Sequence, residues 1–487
     1  MVFNSFNFLY FFIVFFILYW FVTNKNLKAQ NLLIILAGYI FYAWSDWRFL
    51  AYLIGASLIN FYLGIYISNA TILRNKKILV NLAIFQGIGG LVFFKYFNFF
   101  ITSFNDSFHF LGININLSTL NIIIPLGISF FTFKILGYIL DINKGKMKPT
   151  TDWINFFAYV SFFPSILSGP IDSARSFLPQ LEKKRTFDYN VATDGMRQIL
   201  WGLFKKVVIA DNCAVYTKSI FDSFNILPAS SLLLGAFFFT IQLYADFSGY
   251  SDMALGIAKL MGFRITKNFD FPFFAQNIAE FWRKWHISLT SWLTEYLFTP
   301  LSISFRDYGK WGLIAAIVLN FTICGIWHGA NWTYVLYGFL HGCYFIPLIL
   351  NGTMNKKKKI AKSRIFPSLK ELINMLGTFT LVMFTLVIFK VNSIKDVFSF
   401  LKGLISKTIT SKPILGLMQV LPLHINIVIS FIIFMIIIEW FQREKDHGLQ
   451  IEFIKKPLIR WSIYYSIVVS IILFGNFESH QYIYFQF

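Results

Sequence analysis

"ICGIWHGANWTYVLYGFLHG", residues 323–342, is the stretch on which the reading of this chain turns. It is apolar, yet it carries His328 and His341, with Asn331 between them. The pattern fits the end of one membrane span, 311–328, and the start of the next, 332–351. Small residues at Gly329 and Ala330 let a second helix or a substrate come close. An ionisable side chain at membrane depth is costly and marks a functional candidate. Histidine suits proton transfer near neutrality. A hydrogen-bonded structural histidine is the other reading, and the stretch alone leaves both open.

The surrounding chain fixes the class. Its 487 residues are 56% hydrophobic, 20% aromatic and only 14% charged, proportions outside the soluble norm. Apolar runs long enough to cross a hydrocarbon core of ~30 Å recur from end to end. The expectation is an all-α polytopic membrane protein forming one membrane-embedded domain over 1–487. About eleven or twelve transmembrane helices are expected, with re-entrant and interfacial helices beside them. The first run, "FNFLYFFIVFFILYWF", has no basic segment before it and no cleavage site after it, so it reads as a retained helix.

The net charge of +20 lies in short loops between apolar runs. That is where the positive-inside rule puts basic residues, so nucleic-acid binding is set aside. Lys25 and Lys28, then Arg74, Lys76 and Lys77, then Lys144, Lys146 and Lys148 alternate with a loop lacking both Lys and Arg. This alternation puts the N-terminus outside and the basic loops in the cytoplasm. Cys213, Cys324 and Cys343 form no C-x-x-C pair, so no disulfide framework is expected.

Four segments carry polar groups where hydrocarbon would penalise them. In 241–263, Gln242, Asp246 and Gly249 share one helical face. Asp246 should then face a cavity or a cation, unless it pairs structurally, for instance with Lys134. In 123–145, Lys134 is expected to snorkel toward water. In 277–301, Trp282, Trp285, Leu289, Trp292 and Tyr296 form an aromatic stripe with His286 at its edge, as in an interfacial helix. The fourth is the opening stretch itself; apart from these, "FFAYVSFFPSILSGPIDSARSFLPQLEKKR", 156–185, is broken by Pro164, Gly169 and Pro170 and reads as re-entrant or cytoplasm-facing. A zinc site built on Cys324, His328, His341 and Cys343 lacks H-E-x-x-H and any converging carboxylate, so no metal is expected.

Taken in order, the segments resemble the membrane-bound O-acyltransferases, in particular the bacterial alginate O-acetylase branch. The resemblance rests on "PLGISFFTFKILGYILD", "FFPSILSGPI" with "LPQL", and "QLYADFSGYSDMALGIAKLMGF". It continues through "NFDFPFFAQNIAEFWRKWHISLTSWLTEYLFTPL", "CGIWHGANWTYVLYGFLHG" and the terminal "YIYFQF". It implies helices around a central active-site tunnel, with His328 and His286 as the catalytic histidines. Trp327 and Asn331 would orient the ring or bind a developing oxyanion, and Asp246 and Gln242 would line the substrate path. Arg283 and Lys284 would attract an acyl donor, acetyl-CoA or an acyl carrier, with no bound cofactor. The tail resembles the end of the companion peptide of teichoic-acid D-alanylation, which makes Tyr484 a candidate acyl relay; an interfacial anchor is the plainer reading. Where alginate enzymes often carry a Gly-Gly-Asn-Arg turn this chain reads "SISFRDYGKWG", which leaves the acceptor open. His341 reads as structural.

The expected function is therefore O-acetylation of an extracellular polysaccharide or peptidoglycan from the bacterial cytoplasmic membrane. The partners implied are the acyl donor, a periplasmic or extracellular acyltransferase, the polymer and membrane lipids. Two alternatives stand: D-alanyl transfer to teichoic acid with a carrier protein, and a proton-coupled polysaccharide transporter. No internal repeat supports the transporter.

Overall fold

The computed structural model describes residues 1–356, 360–361, 364–406, 423–477 and 482–483. Its regular structure is helical, with no strand among the described residues. Among the described residues, seven helices are long and apolar enough to cross a membrane, and three shorter apolar helices accompany them. This is an all-α polytopic membrane protein. The chain divides into two compact units, Met1–Ala192 with Ile257–Thr266, and Thr193–Gly256 with Lys267–Phe487.

In the first unit, α1 (Phe6–Ile17) starts at Ser5, whose hydroxyl accepts the Phe8 N–H. Then come α2 (Leu27–Ala43), α3 (Arg48–Asn69) and α4 (Leu73–Leu91), the last running through a π-turn into α5 (Phe97–Phe110). Large apolar side chains such as Phe6, Tyr10, Tyr62 and Phe85 point outward. Water would make such a surface costly; lipid does not.

Helix α6 (Ile128–Asn143) turns nearly every side chain inward. Lys134 is 2% exposed and donates to the Ser165 hydroxyl at 2.7 Å, so it does not snorkel. After α7 (Trp153–Val160) and α8 (Phe163–Ile166) the chain runs without regular structure into α9 (Ala174–Leu181). The break expected at Pro164 and Gly169 is present, and its backbone is buried in protein. A Cβ on Gly169 would lie 2.4 Å from the Ser165 Cα, so no larger residue fits this turn.

The second unit opens along α10 (Tyr189–Phe204), which continues through a π-turn into α11 (Asp211–Asp222). The π-turn, Lys205–Ala210, is where consecutive lysines 205 and 206 both become buried. Such widened turns are frequent at functional sites. Helix α12 (Ala229–Leu260) packs on α10 through glycines: a Cβ on Gly202 would lie 2.5 Å from Gly249 O.

The region expected as a single interfacial helix is instead broken. It forms α13 (Ile278–Lys284), α14 (Ile287–Leu293) and α15 (Thr299–Ser304), with a left-handed residue, His286, at the first break. Trp282, Trp285 and Leu289 of the aromatic stripe are buried in protein rather than laid on a lipid surface.

Helices α16 (Gly309–His328) and α17 (Trp332–Cys343) form the hairpin expected from residues 323–342, and α18 (Ile346–Leu350) extends it. A Cβ on Gly325 would meet Tyr334 O at 2.2 Å and one on Gly338 would meet Phe321 O at 2.2 Å, so only glycine permits this approach. The fold ends with α19 (Leu369–Lys390), α20 (Ile394–Ser406), α21 (Ile425–Phe441) and α22 (Pro457–Phe474).

Candidate active site

All the site residues described here belong to the second unit. His328 is the last residue of α16, and Gly329 caps the helix in extended backbone. Its imidazole is 2% exposed and walled by rings: Trp327 at 4.9 Å, Phe389 at 5.3 Å and Tyr337 at 6.0 Å between centroids. The ring is thus enclosed by aromatic faces on the turn that joins α16 to α17.

His286 reaches the same indole from the α13–α14 break, with its ring centroid 6.0 Å from that of Trp327. Its backbone is left-handed, φ 45°. A bulky residue there is strained by about 1–3 kcal/mol, a cost that gathers at active sites. The ring nitrogen Nδ1 lies 3.1 Å from Asn268 Oδ1, and Phe247 closes the other side at 4.7 Å. Burial pushes the His286 imidazole down to about 3, so the ring is neutral across the physiological range.

The other residues marked in the sequence are placed as follows. Asp246 does not meet Lys134. Its Oδ1 accepts from Lys206 Nζ at 2.7 Å, and its Oδ2 accepts the Ile483 N–H at 2.7 Å. Lys206 also bonds Asp211 at 2.8 Å and lies over the Tyr482 ring at 4.2 Å. Gln242 is half-buried, and its Oε1 has no hydrogen-bond partner among the described residues.

Asn331 spends both its amide groups on structure: Oδ1 caps α17 through the Thr333 N–H at 3.0 Å, and Nδ2 donates to Asn392 O at 2.7 Å. Arg283 donates to Met354 O at 3.2 Å, and Lys284 pairs with Glu280 at 3.5 Å. Tyr484 lies outside the described residues.

An open cavity of about 450 Å³ lies along the α13–α15 segment, lined by Trp282, Arg283, Ile287, Thr290, Ser291, Thr294, Glu295 and Thr299. Trp282 links it to the core, since its indole N–H donates to His341 Nδ1 at 3.2 Å. His341 is therefore a fully buried member of the aromatic wall, in ring contact with Tyr337 at 4.5 Å.

Sequence reasoning passed over Asn268, Lys205, Lys206 and Glu439. The two lysines left a signal, being adjacent cations inside the apolar run "LWGLFKKVVIA". Lys205 bonds Asp252 at 2.7 Å and Ser248 at 2.8 Å, and Tyr244 donates to Glu439 at 2.9 Å. Asn268 left none, because a lone Asn beside a Phe-rich segment reads as a loop residue.

Two buried histidines, His286 and His328, thus lie against one indole, that of Trp327. The family model described as "MBOAT, membrane-bound O-acyltransferase family" matches residues 147–388. A probable alginate O-acetylase of Pseudomonas syringae pv. tomato is 36% identical over 352 residues, 71% of this chain and 65% of that protein. The peptidoglycan O-acetyltransferase of Helicobacter pylori is 31% identical over 416 residues, 78% of this chain and 75% of that protein. The teichoic acid D-alanyltransferase of Streptococcus thermophilus is 32% identical over 293 residues, 54% of this chain and 68% of that protein. The chain belongs to the membrane-bound O-acyltransferase family.

Proposed function

We propose that this protein transfers an acetyl group from a cytoplasmic donor, acetyl-CoA, toward a polysaccharide or peptidoglycan outside the cell. The observation that carries the reading is the pair of buried histidines, His286 and His328, on one indole, in a chain similar to O-acetylases. Acyl transfer to a hydroxyl needs a neutral base in a water-poor site. As the hydroxyl oxygen bonds to the acyl carbon, the C–S bond of the thioester breaks. The hydroxyl proton passes to a histidine nitrogen and from there to the departing thiolate, which returns the ring to neutral.

The cavity beside Arg283 is the proposed donor mouth, and its size suits a small ligand. Arg283 and Lys284 add positive charge for the phosphates of the donor. Charge alternation along the loops supports a bacterial cytoplasmic membrane protein with its N-terminus outside. Tyr484, extracellular by the charge alternation, is the proposed relay to a periplasmic or extracellular partner acyltransferase.

D-alanyl transfer is the second reading, favoured by the similarity to the teichoic acid enzyme. His328→Ala tests the proposal. Polymer O-acetylation is expected to vanish while membrane abundance and polymer export stay at the wild-type level. Acetylation persisting at that level would sink the enzyme reading, and D-alanine on the polymer in place of acetate would transfer it to the second.

A further inference from the structure

Asn268 receives more hydrogen bonds than a loop asparagine needs. Its Oδ1 accepts the Ser288 N–H at 3.2 Å, the Ser288 hydroxyl at 2.9 Å and a contact with His286 Nδ1 at 3.1 Å. Its Nδ2 donates to the Ser251 hydroxyl of α12 at 3.4 Å, and its backbone carbonyl accepts the Ile287 N–H at 2.9 Å. Asn268 thus grips His286, Ile287 and Ser288, the turn on which His286 is held left-handed.

The orientation of the carboxamide is fixed chemically. A backbone N–H can only donate, so the atom facing Ser288 N is the oxygen. An oxygen facing His286 Nδ1 obliges that nitrogen to carry the proton. In a neutral imidazole the other nitrogen, Nε2, is then a bare lone pair. A buried side chain that chooses the tautomer of a histidine is a familiar means of tuning it.

We propose that Asn268 is a positioning residue that locks His286 as the Nδ1–H tautomer, so that His286 meets its substrate only as a hydrogen-bond acceptor through Nε2. This rests on the acyltransferase reading and deepens it. In its neutral resting form His286 then accepts the hydrogen bond of the attacking hydroxyl, and Nε2 becomes a donor only after it has taken that proton. Burial keeps the ring neutral, which the lock requires.

The test needs no turnover. The full chain is prepared with ¹⁵N-histidine and placed in liposomes; it has seven histidines. The pair of ring signals lost in His286→Gln belongs to His286. A protonated Nδ1 with a bare Nε2 at neutral pH is expected, and the opposite tautomer overturns the proposal.

Activity supplies a second measurement. In Asn268→Asp a carboxylate faces Nδ1–H, stabilises the imidazolium, and should raise the acidic limb of the kcat/KM profile by about one pH unit or more. Asn268→Ala should lose about tenfold or more in kcat at wild-type KM. An Asp variant with an unmoved profile, or an Ala variant with full kcat, overturns the positioning role. Wild-type acetylation by His286→Gln would instead sink the catalytic reading of His286 and leave the tautomer result standing.

Discussion

Trp327 meets His328 in a T-shaped contact, ring centroids 4.9 Å apart at 68°, and the same indole lies 6.0 Å from the ring of His286. The two residues are adjacent in the sequence, at the very end of α16. The helix thereby delivers the ring and its wall together.

Small displacements at a reacting centre are amplified, with about 1 Å costing on the order of a hundredfold in rate. Trp327→Phe keeps an aromatic wall but leaves it thinner. We expect kcat to fall about tenfold or more while the melting temperature changes little. Acetyl transfer in liposomes and thermal melting, run together, check this. A large drop in melting with kcat intact would make Trp327 a packing residue only.

The buried cation Lys206 is shared by Asp211 and Asp246. Lys206→Met leaves two carboxylates without their cation in protein interior, and breaking a buried pair costs about 3–5 kcal/mol. Membrane abundance should collapse. The triple variant Lys206→Met, Asp211→Asn, Asp246→Asn leaves no uncompensated charge and should recover part of that loss. If the triple variant is no more abundant than Lys206→Met, charge compensation is not what holds this centre.

Much of this was legible in the sequence, and the misses share a cause. The hairpin of residues 323–342 could be read because hydrophobic length and small residues are local properties. His328 could be singled out because a polar ring in an apolar run is visible residue by residue, whereas His286, beside Arg283 and Lys284, was marked only by the family resemblance. Partners could not: Asp246 was expected to meet a cation, but the cation is Lys206, 40 positions away in the chain. Helix breaks were harder still. The aromatic stripe of 277–301 keeps helical spacing, and nothing in it marks His286 as left-handed; the hold comes from Asn268, on a separate segment.

Neutral, buried His286 makes stability depend on pH in a definite direction. Its imidazole is held near 3, below the ordinary value of 6.5, so the folded chain binds fewer protons than the unfolded one between these limits. Stability is full above 6.5 and falls as pH drops through that window, by up to about 1.4 kcal/mol per pH unit for this one group. His286→Gln removes the group. Melting temperatures followed from pH 7.5 to 5 should fall less steeply in the variant than in the wild type. Parallel curves would mean that His286 is solvated and titrates as an ordinary histidine.

Asn331 stands three residues from His328, and its place in "WHGAN" invites a catalytic role. The geometry gives it a structural task. Its Oδ1 caps α17 through the Thr333 N–H, and its Nδ2 ties the turn to Asn392 O ahead of α20. The oxygen is spent on the cap and one of the two Nδ2 hydrogens on Asn392 O, so the side chain has a structural task in the turn. Asn331→Ala removes an N-cap, worth about 0.5–2 kcal/mol, and should lower the melting temperature without a matching loss of kcat in the protein that remains folded. Asn331→Asp keeps the capping oxygen and loses only the donor to Asn392, so its melting temperature should lie between those of the wild type and the Ala variant. An oxyanion role predicts the reverse order of effects: kcat down about a hundredfold or more in both variants, with stability unmoved in the Asp variant.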